Sequence, residues 1–266
     1  MLSSLKILCL CLLLSVCIPL NFGQAAEFYM QSDDRANDNH GSVDGSLDED
    51  LDLLGDEEAE YDQCDYRIAD PVKYWNLAIY HFNDKFYFWV LKPLVKGYIA
   101  VTPRIMRTGV QNFFINITTP IRLVNSLLQF KIKPVGTETI RFALNSTVGI
   151  LGFWDPAEKY YGLKPKDEDL GQTFGFYGIG NGFYIVWPFL GSSSLRDSVG
   201  LLGDRFLNLV SYVKPWEVSI GITGYQIVNR TSFKIGDYEA VKEAAIDPYE
   251  ALKDGYIQYR TKRINE

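Results

Sequence analysis

Three stretches of the chain carry residue types that could do chemistry. The run FGFYGIGNGFYIVWPFLG, Phe174 to Gly191, sets five glycines among aromatics, and Gly178-Ile-Gly180-Asn-Gly182 has the outline of a phosphate cradle. A dinucleotide loop needs a strand before G-x-G-x-x-G and a helix after it, so that the pyrophosphate meets the helix N-terminus. Here the sixth position is Phe183 and the continuation YIVWPF contains a proline, so neither neighbour fits. Asp167-Glu168-Asp169 is an acid cluster in a loop beside Lys164 and Lys166, and it reads as a solvated, neutralised turn rather than a cation site. His81 is the one histidine beyond residue 66, between Tyr80 and Phe82 in an expected helix, where a partly buried polar role is expected. Nucleophilic hydrolysis needs a base beside its nucleophile, and the chain has no Gly-x-Ser-x-Gly elbow. One histidine and Cys64 do not build a zinc site without several carboxylates. The expectation is a protein without catalytic residues, metal or cofactor.

The elements that position these stretches are written mainly in one dipeptide, an N-cap residue followed by proline. It occurs at Asp70-Pro71, Thr102-Pro103, Thr119-Pro120, Asp155-Pro156 and Asp247-Pro248. Asp or Thr accepts a hydrogen bond from a free N–H of the first turn, and proline at the first helical position gives up a donor that would have been orphaned. Asp155-Pro-Ala-Glu158 and Asp247-Pro-Tyr-Glu250 add the glutamate of a capping box. Helical spacing recurs at Val199, Leu202, Phe206 and Val210, and at Ile246, Tyr249, Leu252, Tyr256 and Tyr259. Residues 183–190 alone resemble a strand, which Pro188 demotes to an edge or turn. Helices are expected at about 71–91, 103–116, 120–131, 135–148, 156–161, 195–212, 215–231 and 248–262. The class is all-α, one domain over residues 67–266, with a glycine-rich irregular excursion between about 162 and 194.

The N-terminal pattern leads to an expectation of export from the cytoplasm. Lys6 precedes an apolar run from Ile7 to Ile18 with small residues at Gly23 and Ala25, the pattern of a signal peptide over residues 1–25. Leu14-Ser15-Val16-Cys17 is a rival lipoprotein cut with lipidation at Cys17, although Val16 is bulkier than that grammar prefers. The net charge of −7 hides two parts. Glu27 to Tyr66 holds fifteen Asp/Glu and one Arg, an expected acidic, disordered leader over residues 26–66 that lacks EF-hand spacing. From Arg67 onward, twenty-four Lys/Arg face eighteen Asp/Glu, but no basic run appears, which speaks against nucleic acid as a partner. Sequons at Asn116, Asn145 and Asn229 lie in or beside expected helices and read as chance.

The aromatics point elsewhere. Phe86 to Leu91 is apolar or aromatic without a break and covers more than one helical turn, so it cannot all face one core. Either the helix is buried all round or part of it meets something other than water. Lys85, Lys92 and Lys96 suit phosphate headgroups, and Trp and Tyr suit a membrane interface. Asn83-Asp84-Lys85 excludes an ordinary transmembrane span.

Taken in order, ADPVKYWNLAIYHFND, VLKPLVKGYIAVTPRIMRTGVQNFFINITTPI, VNSLLQ, RFALNSTVGILGFWDPA, DEDLGQTFGFYGIGNGFYIVWPFLGSSSLRDSVG and DPYEALKDGYIQYR resemble the MlaA family, also called VacJ. The resemblance implies a ring-like bundle of amphipathic helices in the inner leaflet of the outer membrane, facing the periplasm, with an amphipathic channel through its middle. It implies transport of mislocalised phospholipid from the outer leaflet, beside a trimeric porin, to a soluble periplasmic lipid carrier, and so the maintenance of lipid asymmetry. No covalent chemistry is implied. On that reading the lipid-channel candidates are the amides of Asn112, Asn116 and Asn181, the apolar Phe113, Phe183 and Val186, and Gly175, Tyr177 and Gly180 of the glycine-aromatic run. A structural envelope factor acting through protein partners is the alternative.

Overall fold

The computed structural model describes residues 68–266. The signal peptide, Cys17 and the acidic leader lie outside the described residues. The chain begins with α1 (Lys73–Phe86), which runs through a π-helical turn (Tyr87–Leu91) into α2 (Lys92–Val101). Pro93 has no N–H to give the preceding turn, and Lys92 N reaches back five residues to Tyr87 O, so the helix widens instead of breaking. Helices α3 (Arg104–Ile117), α4 (Thr119–Leu128), α5 (Ile132–Thr147) and the short α6 (Pro156–Tyr161) follow. After an extended stretch come α7 (Leu170–Phe176), an antiparallel hairpin of β1 (Tyr184–Trp187) and β2 (Gly191–Ser194), and α8 (Leu195–Asp204). Two 3-10 turns (Arg205–Leu207 and Leu209–Tyr212) lead to α9 (Trp216–Thr231), α10 (Asp237–Ala244) and α11 (Pro248–Asn265).

The all-α reading holds, with one hairpin where the chain alternates. β1 pairs with β2 through Tyr184 opposite Ser194 and Trp187 opposite Gly191, and Ala69 adds a parallel bridge at Phe183. Helices start near all five Asp/Thr-Pro pairs, but only Asp155 and Asp247 cap as expected. Asp70 instead receives Asn76 Nδ2 at 2.7 Å and the Tyr249 hydroxyl at 2.5 Å. Thr102 and Thr119 make no side-chain cap. The expected helix at 195–212 ends at Asp204, and α7 and α10 were not anticipated. Asp169 caps α7 by accepting from Gln172 N at 2.8 Å, and Ser194 caps α8 through Asp197 N at 3.1 Å. α7 and α8 cross at a glycine contact, where a Cβ at Gly200 would lie 2.4 Å from Gly171 N.

Two small apolar cores exist. Tyr184, Val186, Tyr249, Tyr256 and Ile257 join α11 to the hairpin, with Leu77 and Tyr80 of α1 packed against them. Tyr87, Leu91 and Val95 form the other against α9 and Tyr238 of α10. The rest of the interior is mostly polar. Among the described residues, thirteen hydrophobic residues are buried against twenty-three polar or charged ones, while thirty-five large hydrophobics are exposed. Isolated exposed apolar residues are ordinary, but an excess of polar over apolar groups inside is not. Large apolar side chains are therefore displaced from the interior to the surface of the described residues. The Phe86–Leu91 run shows the division in one turn: Tyr87 and Leu91 are buried, whereas Trp89 is 75% exposed and Val90 48%.

Candidate functional site

The polar interior surrounds a cavity of about 380 Å³. α3 presents Gln111, Phe114 and Ile115 to it, and its C-cap residue Thr118 continues the same face, at i, i+3, i+4 and i+7. α8 contributes Asp197, Leu201 and Asp204, α9 contributes Thr223, Gln226 and Arg230, and α11 contributes Tyr256, Tyr259 and Arg260. Arg122 of α4, Asp169, and Ser192 and Ser193 of β2 complete much of the wall. Cations and carboxylates both line it, so the space suits a ligand with both charges or a strong dipole.

Its charges are held rather than loose. Arg122 donates to Glu138 at 2.9 Å, to Thr118 Oγ1 at 2.9 Å and to Ile115 O at 2.8 Å, with Glu138 fully buried. Arg260 bridges two acids: Nη1 donates to Asp169 Oδ2 at 2.6 Å and Nε to Asp197 Oδ2 at 2.8 Å. Asp197 also receives Arg196 Nε at 2.9 Å and the Tyr256 hydroxyl at 2.5 Å. Burial alone would push the Asp197 carboxyl up, but Arg260 and then Arg196 outweigh it and hold it at about 2. Asp204 differs. Its partners are the neutral Asn125 Nδ2 at 2.9 Å and Leu170 N at 3.0 Å, and burial, reinforced by the charge of Asp169, pushes its carboxyl up to about 7.

In the Asp167-Glu168-Asp169 cluster only Asp167 is exposed as the expected solvated turn requires. Glu168 is buried, receiving Gln129 Nε2 and Lys131 Nζ, each at 2.9 Å, and Asp169 caps α7 while holding Arg260. The distant partners Gln129, Lys131 and Arg260 supply what sequence proximity assigned to Lys164 and Lys166. His81 is exposed rather than partly buried, its ring 5.2 Å from that of Tyr80. The sequon residues Asn116, Asn145 and Asn229 are all buried, in keeping with chance sequons.

None of the nine residues named from sequence is in the cavity wall. Phe113 stacks on Phe153 with ring centroids 5.0 Å apart, and Asn116 donates to Ser146 Oγ at 3.0 Å and Leu151 O at 3.3 Å; half-buried Asn112 belongs to the same helix. These residues neighbour the cavity-lining face of α3 in sequence. Asn181 O receives Arg196 N at 3.2 Å and Phe183 O receives Leu195 N at 3.0 Å, which sets the start of α8. Val186 N donates to Asn76 Oδ1 at 2.7 Å, tying the hairpin to α1. A Cβ at Gly175 would meet Ile264 Cδ1 at 2.5 Å, while Gly180 is exposed and Tyr177, also exposed, donates to Leu128 O at 2.7 Å. Gln111, Thr118, Gln226 and Arg230 were missed. Their only local signal is shared helical spacing.

The outer surface carries the opposite chemistry. Ile105 on α3, Ile140 and Phe142 on α5, and Val199 and Leu202 on α8 all face outward. At two loop tips apolar residues take up positive φ, Phe130 at 57° and the adjacent Ile150 and Leu151 at 53° and 57°, and all three are exposed. Lys159 lies 5.7 Å from the ring centroids of both Trp154 and Tyr160, the pairing of cation and aromatic that suits an interface. Among the described residues, no helix is long and apolar enough to cross a membrane.

The family comparison fits this inside-out arrangement. Residues 68–263 match the family described as MlaA lipoprotein. The chain belongs to the MlaA family. It is 32% identical over 197 residues to the Escherichia coli intermembrane phospholipid transport system lipoprotein MlaA, covering 71% of this chain and 76% of that one. An uncharacterized protein of Rickettsia felis is 29% identical over 198 residues, 74% of this chain and 78% of that one. A solved structure from work on the structural basis for maintenance of bacterial outer membrane lipid asymmetry superposes with a TM-score of 0.66 at 27% identity, over 74% of this chain and all of that one. In MlaA terms, the polar cavity and apolar exterior lie within the shared region.

Proposed function

We propose that the chain is an outer-membrane component of intermembrane phospholipid transport, moving mislocalised phospholipid from the outer leaflet to a soluble periplasmic carrier beside a trimeric porin, without covalent chemistry. The observation that carries this reading is the inversion itself: an apolar exterior around a cavity lined by paired charges. A phosphate in hydrocarbon without partners is prohibitively costly, so a lipid that changes place needs a polar lane for its headgroup and an apolar flank for its chains. Gln111, Thr118, Gln226 and Arg230 form the lane. The pinned carboxylates of Asp197 and Asp169 keep its wall rigid while the headgroup passes. Of the residues singled out from sequence, Tyr177 and Gly180 belong with the lipid-facing rim, and Asn116, Asn181, Phe183 and Val186 hold the helices around the lane.

The test is deletion in the native host, followed by membrane fractionation and leaflet-selective labelling of phospholipid. The wild-type protein is expected with the outer membrane, and its loss is expected to raise outer-leaflet phospholipid. A soluble periplasmic distribution with unchanged leaflet composition overturns the reading.

A further inference from the structure

We propose that the groove between the α1–α2 helix and α9 is an acyl-chain site, so that a phospholipid straddles α9 with its headgroup in the polar cavity. This inference rests on the transport reading above. The groove measures about 770 Å³, within the range of small-molecule pockets. Val90 and Leu94 wall one side, Ile220 and Val228 the other, and no charged residue lines it. Its two hydroxyl-bearing residues, Tyr98 and Tyr225, point their oxygens at each other across 3.2 Å, and Tyr98 also donates to Asn229 Oδ1 at 2.8 Å. Nothing is left to hold a water network, so the space favours an apolar occupant. Exposed Gly97 and half-buried Gly224 border it, and a Cβ added to either would meet no heavy atom within 4 Å, so neither position closes the groove.

Two features choose the occupant. The rim residues Val90, Leu94 and Tyr225 are exposed, so the groove is continuous with the apolar surface that faces lipid. The back of α9 carries Thr223, Gln226 and Arg230 into the polar cavity, and Ile227 borders both spaces. Only the width of a helix, roughly 10 Å with side chains, separates the two. A polar end on one side and a hydrocarbon end on the other fit an amphiphile of phospholipid class better than an apolar helix of another protein.

The protein would be purified in mild detergent and incubated with phosphatidylethanolamine carrying a photoreactive group on one acyl chain. Cross-links are expected in residues 86–98 and 220–228. Gly97→Leu and Gly224→Leu add bulk at the groove's edge from positions where a Cβ meets no heavy atom within 4 Å, and displacing two methylenes is expected to lower retained phospholipid about tenfold with unchanged thermal unfolding. Wild type that retains no phospholipid overturns both readings. Wild type that retains it, with both leucine variants equal to it and cross-links elsewhere, overturns the groove alone; so does a groove that cross-links to a copurified protein instead.

Discussion

Two regions begin with the same four-residue motif and live in opposite surroundings. Asp155-Pro-Ala-Glu158 opens α6 and Asp247-Pro-Tyr-Glu250 opens α11, and in both the aspartate accepts the N–H of the third helical residue, at 2.9 and 3.3 Å. Asp155 is buried, and its carboxylate also takes Arg141 Nη2 at 2.6 Å and Asn145 Nδ2 at 2.9 Å. Asp247 is exposed, and the glutamate beside it pairs with Lys73 at 3.0 Å in reach of water. The difference teaches that local sequence decides the cap, while the medium on the far side of the helix decides whether that cap is also a charge site. Around α6 the aromatic Trp154, Tyr160 and Tyr161 are exposed beside Glu158 and Lys159, while Asp155 turns inward to Arg141 and Asn145. Around α11 the inside is the tyrosine core and the motif faces outward.

The largest break in that comparison is Asp155→Ala. It leaves the Arg141 guanidinium buried without its acid, and removing one partner of a buried pair costs about 3–5 kcal/mol. Denaturant unfolding in detergent should show it, and a cost below about 1 kcal/mol would mean that water reaches Arg141. Next in size is the pH response of Asp204. Its folded value of about 7 lies above the ordinary value of 3.8, so the fold favours the protonated acid. That stability is present in full below about pH 4 and is lost as pH rises through about 7, by at most about 4 kcal/mol at about 1.4 kcal/mol per unit. Asp204→Asn should flatten the decline between pH 4.5 and 8. Asp197, held at about 2, has the opposite sign: its contribution is present above 3.8 and lost as pH falls toward 2, outside that window.

How much of this was legible follows from what each signal measures. The Asp-Pro starts of α6 and α11 were readable because a cap is a local contract between a carboxylate and two or three N–H groups. α7 was not, because LGQTFGF carries two glycines where α8, Arg260 and Ile264 come close, and glycine there speaks of packing rather than of helix. Val199, Leu202, Phe206 and Val210 were legible as one stripe, yet the first three are exposed and only Val210, beyond the end of α8, is buried, since periodicity gives a face and not the medium against it. The same limit explains the cavity. Asn112, Phe113 and Asn116 sit beside Gln111, Phe114, Ile115 and Thr118, and both faces of α3 mix amides with aromatics. Only the partners, Ser146 and Phe153 on one face, tell them apart.

A charge on the apolar side sharpens the comparison from without. Ile140→Lys or Val199→Lys replaces an outward residue on α5 or α8. Each should weaken flotation with phospholipid vesicles by about 2–3 kcal/mol, the cost of lysine against hydrocarbon. Unfolding in detergent should hardly move, because no interior contact is lost. A variant that unfolds but still floats would reverse the assignment of inside and outside.

The smallest expected effect is at the other capping box. Asp247→Ala removes acceptors for Tyr249 N and Glu250 N and nothing else of consequence, since the site is exposed and water satisfies the freed donors. A cap of this kind is worth about 1 kcal/mol. Glu250 keeps Lys73, and the Tyr249 hydroxyl keeps Asp70, so the tyrosine core stays closed. The same substitution at two copies of one motif should therefore differ by about 2–4 kcal/mol, the excess of the buried pair over a cap. Equal costs at the two sites would show that Arg141 contributes nothing beyond the cap, and the polar interior would then be packing rather than charge held away from water.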